Sequence, residues 1–147
     1  MFVFNRILTD KKQYLDLLLL ADEQEDMIDR YLERGDMWAL DHDGVKAVCV
    51  VCNEGDGILE IKNLAVAPTS QRKGYGKAMI GFIIKWYDGY VRLRVGTGDS
   101  PLTIPFYKSC GFKEAGRIPG FFTDNYDHPI IEGGVLLKDM VILERLI

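Results

Sequence analysis

The sequence is poor in the side chains that hold metals and form cross-links. Its 147 residues include two histidines and three cysteines. His42 falls in a turn and His128 in a loop, so the ligand spacing of a structural metal site is missing and no metal is expected. Cys49 and Cys52 form a Cys-x-x-Cys pair, but residues three apart in a strand point to opposite faces. That argues against a redox or zinc role, and the cysteines read as free thiols. No apolar run approaches membrane-spanning length. The start, Met1-Phe2-Val3-Phe4-Asn5-Arg6, lacks a basic region followed by an apolar leader core, so the expected compartment is the cytoplasm. Repeats, low-complexity tracts and linkers are also missing, and the length predicts one domain over 1–147.

Carboxylates are missing from one stretch. The chain carries 22 Asp and Glu against 18 Lys and Arg, a net charge of −4. None of those acids lies between Ile61 and Tyr87, where Lys62, Arg72, Lys73, Lys77 and Lys85 fall. A basic field inside an acidic protein points to a bound anion rather than to nucleic acid.

Inside that window runs Gln71-Arg72-Lys73-Gly74-Tyr75-Gly76-Lys77, between an apolar strand, Ile58 to Val66, and an amphipathic helix, Gly74 to Tyr87. The first N–H groups of such a helix lack intrahelical partners. Glycine lets a ligand approach the backbone closely, and the helix dipole adds positive potential. The turn therefore suits a phosphate. A P-loop is excluded because no Gly-Lys-Ser/Thr follows a four-residue spacer. A dinucleotide fingerprint is excluded because its third glycine would fall at Met79.

The remaining elements follow from periodicity and turn signals. Phe2 to Leu8 reads as an edge strand. A helix capped by Thr9 or Asp10 is expected to run to about Leu20, and an acidic one from about Glu23 to Arg34. Met37–Asp41 and Val45–Asn53 form a hairpin across Asp43-Gly44. Tyr90 to Val95 is a further strand. Ser100-Pro101 opens another helix. Lys113–Ile118 and Val135–Leu143 are expected as the last strands.

The run Gln71-x-x-Gly74-x-Gly76 resembles the pyrophosphate loop of the GCN5-related N-acetyltransferases, the GNAT superfamily. The strand Leu59-Glu60-Ile61-Lys62-Asn63-Leu64-Ala65-Val66 is similar to the family's central strand, and Tyr107-x-x-x-Gly111-Phe112 to its helix-end motif. The loop around 120–134 resembles that of small bacterial members of the YvbK type. The resemblance implies an α/β (α+β) fold with a mixed, mostly antiparallel sheet of about seven strands. Two central parallel strands, Ile58–Val66 and Tyr90–Val95, would splay to admit acetyl-CoA. It implies cofactor contacts at Leu64, Ala65, Val66, Gln71, Arg72, Lys73, Gly74, Tyr75, Gly76, Lys77 and Ser100. Asp99 replaces a family asparagine and cannot donate the same hydrogen bond.

The implied activity is direct acetyl transfer to a primary amine in a ternary complex. A lysine-like amine costs about 4–5 kcal/mol to neutralise at pH 7. Glu60 stands at the family's general-base position and Tyr107 at its general-acid position. Cys110 reads as packing, since no histidine is placed to activate it. The long connection after Gly120 could bring Asp124, Asp127 and Glu132 beside Glu60, drawing a cationic acceptor, small molecule or protein amine. A catalytically silent acyl-CoA sensor of the same fold is the alternative, and a homodimer is compatible with the sequence.

Overall fold

The computed structural model describes residues 1–147. Alternating side chains and turn glycines cut the chain into nine strands and five α-helices. Strand β1 (Val3–Ile7) precedes a single 3-10 turn and helix α1 (Leu15–Ala21). Asp10 sits in the left-handed region at φ 50° and makes no side-chain cap, so regular helix starts later than expected. Helix α2 is also shorter, Glu25–Asp29. Lys11 explains its early end: the buried Nζ donates to the carbonyls of Leu32 and Gly35, both at 2.8 Å, and fixes that segment as a turn.

Strands β2 (Asp36–Asp41) and β3 (Val45–Gly55) form the expected hairpin, with Asp43 and Gly44 both at positive φ. Strand β4 (Ile58–Val66) leads to α3 (Tyr75–Trp86), then β5 (Arg92–Gly98), α4 (Ile104–Ser109) and β6 (Lys113–Ile118). The connection to the last strand holds α5 (Phe121–Asn125) and a small hairpin, β7 (Ile131–Glu132) with β8 (Val135–Leu136). The last strand, β9, is Met140–Leu146 rather than Val135–Leu143. Gly133 and Gly134, both at positive φ, fold Val135 back on Glu132 and so take it out of the main sheet.

The seven-stranded sheet has the order β1-β2-β3-β4-β5-β9-β6 and is antiparallel except for β4 and β5. One core cluster lies between the sheet and α3 and α4, around Met79, Ile83, Leu93 and Leu143. A second lies on the opposite face under α1 and α2, around Leu18, Ile28, Val48 and Val50. Cys49 belongs to the first and Cys52 to the second, as their spacing requires.

Two irregularities in β4 position the site. Val50 faces Asn63 while Val51 faces Ile61, so Lys62 is an extra residue, a β-bulge. Leu59 and Ile61 pack on the α3 face, whereas Asn63 and Ala65 turn toward α1. The parallel pairing runs from Ile58↔Arg92 to Ile61↔Val95 and stops, although both strands continue. Beyond that point β4 and β5 part.

Candidate active site

The gap between β4 and β5 opens into a cleft of about 1570 Å³. This exceeds the usual range of about 300–1,000 Å³ for a small-ligand site and leaves room for a long ligand beside a second molecule. Leu64, Ala65 and Val66 line it. Ala67 donates its N–H to Lys46 across the β3 side at 2.8 Å. Backbone direction alternates along an antiparallel strand, so the polar groups of Val66 and Leu64 face the open side. The Val66 carbonyl accepts a bond from the Gln71 side chain at 3.2 Å.

The turn at one end of the cleft is built for an anion. Arg72 (φ 63°) and Gly74 (φ 89°) are left-handed, and Ala78→Gly74 at 3.0 Å is the first helical hydrogen bond. The N–H groups of residues 72 to 77 therefore have no acceptor in the protein. Successive free N–H groups in such a turn form an anion-binding concavity. Gln71, Arg72, Gly74, Tyr75, Gly76 and Lys77 line the cleft, while Lys73 points beside it. Tyr75 contributes backbone only, since its hydroxyl meets His42 Nδ1 at 2.8 Å. Gly76 is required for packing: a Cβ there would stand 2.9 Å from Phe106 Cζ. Ser100 is buried away from the cleft, and its Oγ accepts the Leu102 N–H at 3.0 Å.

Tyr107 projects from α4 into the cleft, packed edge-on to Phe106 and Phe112. Its hydroxyl makes no hydrogen bond within the protein. Burial first, then the neighbouring Cys49, Cys110 and Glu132, pushes its pKa well above the usual tyrosine value.

Glu60 is not free. One carboxylate oxygen pairs with Lys62 Nζ and the other lies 3.9 Å from Arg94 Nη1. Lys62 also meets Glu54 at 3.3 Å, and Arg94 Nε meets Glu144 at 2.8 Å. Charges alternate across β3, β4, β5 and β9. Sequence reasoning missed this row, although Glu60-x-Lys62 and Arg92-x-Arg94 carry its period-two signal.

The other end of the cleft is roofed by the segment after Gly120. Tyr126 donates its hydroxyl to Asp22 at 2.5 Å, and Gln24 and Arg30 bond Asp127 and Asn125 at 2.9 and 3.1 Å. Asp22 also accepts from Tyr31 at 2.9 Å, and Asn63 Nδ2 donates to the Tyr31 hydroxyl at 3.1 Å. Burial raises the pKa of Asp22 despite these bonds. Asn63 Oδ1, on the cleft wall, is buried without a partner. Phe121, Phe122 and Glu132 face the cleft. Asp124 and Asp127 do not: both are exposed, and Asp127 pairs with His128 at 2.6 Å. The expected grouping of all four carboxylates is thus corrected; Asp22 and Glu23 stand with Glu132 instead.

Residues 33–114 match the family model described as acetyltransferase (GNAT) domain. The chain is 37% identical to the uncharacterized N-acetyltransferase YvbK of Bacillus subtilis, over 87% of this chain and 85% of that one. An IAA acetyltransferase from Bacillus cereus superposes with a TM-score of 0.90 at 33% identity, covering 100% of both chains. A GNAT family acetyltransferase from Elizabethkingia anophelis with acetyl-CoA bound superposes at 0.92 with 30% identity, over 99% of this chain and 98% of that one.

Proposed function

Because the chain belongs to the GNAT acetyltransferase family, we propose that it moves the acetyl group of acetyl-CoA to a primary amine by direct attack in a ternary complex. The observation that carries this reading is the early end of the β4–β5 pairing beside a helix start with six unpartnered N–H groups. Orphaned backbone groups are costly unless a ligand or water meets them. The residues present fit acetyl-CoA. The N–H groups of Arg72 to Lys77, Lys73 included, hold its pyrophosphate, and the Leu64 and Val66 backbone meets the amides of its pantetheine arm. Ala65 lies between these two positions. The acetyl-CoA bound to the Elizabethkingia relative supports the same assignment. Ser100 keeps the turn before α4 in shape and has no direct contact in this reading.

When bound, acetyl-CoA supplies the acetyl group and a thiol leaving group. The Leu64 N–H, on the open side of β4, would supply the thioester oxygen with a donor fixed in place before charge develops. Tyr107 donates a hydrogen bond to the sulfur. Because its raised pKa makes complete proton loss unfavourable, the hydroxyl stabilises the departing thiolate while keeping its proton. Glu60, with both oxygens engaged by cations, orders Lys62 and Arg94 at the fork of the strands and acts as a positioning residue.

The acceptor enters from the roofed end. Glu60 and Glu144 are offset by Lys62, Arg92 and Arg94, and Asp22 by two tyrosine hydroxyls and the nearby Arg30, so the acidic character of the cleft left without a partner lies at Glu23 and Glu132. A cationic amine suits that end.

Calorimetry with acetyl-CoA tests the seat. Gly74→Asp places a carboxylate and a Cβ at φ 89° in the middle of the unpaired N–H groups. It should abolish measurable binding, while Lys77→Ala should weaken it less than about tenfold, the scale of one exposed charge. Unchanged affinity in Gly74→Asp would contradict the assignment.

A further inference from the structure

The cleft contains five carboxylates, and four are accounted for. Glu60 pairs with Lys62 and Arg94; Glu144 pairs with Arg94 and Arg92 at 2.8 and 3.6 Å. Asp22 accepts from two tyrosine hydroxyls. Glu23 is exposed on the link between α1 and α2. The fifth, Glu132, is half-buried on β7, faces the cleft, and has neither a cation nor a hydrogen-bond donor beside it. A half-buried carboxylate without partners is uncommon and calls for an occupant. Its charged and titratable neighbours are Glu23 from the α1–α2 link and Tyr107 from α4. It therefore lies near both the exposed Glu23 and the hydroxyl assigned to the leaving sulfur.

Resting on the proposed function, we propose that Glu132 is the residue that binds the acceptor's ammonium group and removes its proton. An N–H bond of the ammonium breaks, the proton passes to the Glu132 carboxylate, and the freed lone pair attacks the thioester carbon. As the C–N bond forms, the C–S bond breaks and its electron pair leaves with sulfur. The second amine proton passes to that sulfur, giving amide and free thiol, and Glu132 returns its proton to water. Burial and then the nearby Glu23 raise the Glu132 pKa above the ordinary glutamate value, the direction that makes a carboxylate a stronger proton acceptor. The histidines are not placed for the role: His42 bonds Tyr75 and His128 bonds Asp127, both outside the cleft.

The test compares two nucleophiles at saturating acetyl-CoA. Butylamine is cationic at pH 7, whereas hydroxylamine is already neutral. Glu132→Gln should lower kcat/KM for butylamine by about 10² or more at pH 7, the scale of a lost general base. The defect should shrink as pH rises toward the amine's own pKa. Hydroxylamine should lose less than about threefold, since no general-base term is removed. Glu60→Gln, by contrast, should give a loss that is the same at low and high pH. Equal losses for both nucleophiles in Glu132→Gln, or a loss that does not change with pH, would overturn the proposal.

Carboxyl-carbon NMR of glutamate-labelled protein bound to acetyl-CoA supplies an independent readout, with Glu132→Gln assigning the resonance. A midpoint above the ordinary value of about 4.3, lowered by butylammonium, is expected. An ordinary midpoint insensitive to butylammonium would overturn the proposal. Wild-type protein that binds acetyl-CoA, shows the expected Glu132 titration and acetylates neither amine would count against the proposed function instead.

Discussion

A phenol enclosed by aromatic rings and unable to share its proton with the protein is suited to a partner that arrives charged. Tyr107 meets that description, and its raised pKa adds a consequence. Its proton remains in place as pH climbs through the ordinary tyrosine value of about 10, so it should cause no alkaline fall in rate below that value. Tyr107→Phe should lower kcat by about 10², the lower range for one lost preorganised hydrogen-bond donor. Acetyl-CoA affinity should hardly change, because the interaction develops only as sulfur departs. Pre-steady-state rates and calorimetry separate the two effects; a wild-type rate would assign Tyr107 to packing. The motifs made Glu60 and Tyr107 visible in the sequence. They did not reveal that Glu60 is also held by Arg94, because that half of the clamp depends on the register of β4 against β5, whereas Lys62 lies two residues along the same strand. The orphaned state of Glu132 depends in turn on a hairpin that local pattern did not disclose.

At the scale of elements, the two glycines of the turn do different work. Gly74 has open space around its Cα but a left-handed backbone, whereas Gly76 has a helical backbone but Phe106 against it. Gly76→Ala should therefore destabilise by about 1–3 kcal/mol, the range for overpacking, and push α3 away from α4. Denaturant unfolding measures this, and unchanged stability would mean that Phe106 can rotate aside without cost. Strands β1 to β4, helix α3 and the β2–β3 hairpin were legible because alternation, helical spacing and Asp-Gly turns all agreed. The start of β9 was not. Val135 and Leu136 continue its apolar pattern, and only the two left-handed glycines before them assign them to a separate hairpin. Helix α2 was overread because its later turns are held by Lys11, from a distant segment.

For the whole molecule, function follows from a sheet that does not finish pairing. The bulge at Lys62 turns Asn63 and Ala65 toward α1, and the parting of β4 from β5 exposes backbone to a ligand. The basic turn closes one end of the cleft, and the segment after Gly120 roofs the other. The absence of carboxylates from Ile61 to Tyr87 foretold the first end. The residues of the second come from segments about a hundred positions apart, such as Asp22 and Tyr126 bonded at 2.5 Å, and no local pattern could join them. Turnover is the decisive measurement. Purified protein given acetyl-CoA and a panel of cationic, neutral and anionic primary amines should release free thiol only when an amine is present. Mass spectrometry should find the acetylated amine in equal amount, with cationic amines preferred and their advantage reduced by salt. Tight acetyl-CoA binding with no amine-dependent thiol release across the panel would contradict it and leave a silent acyl-CoA sensor.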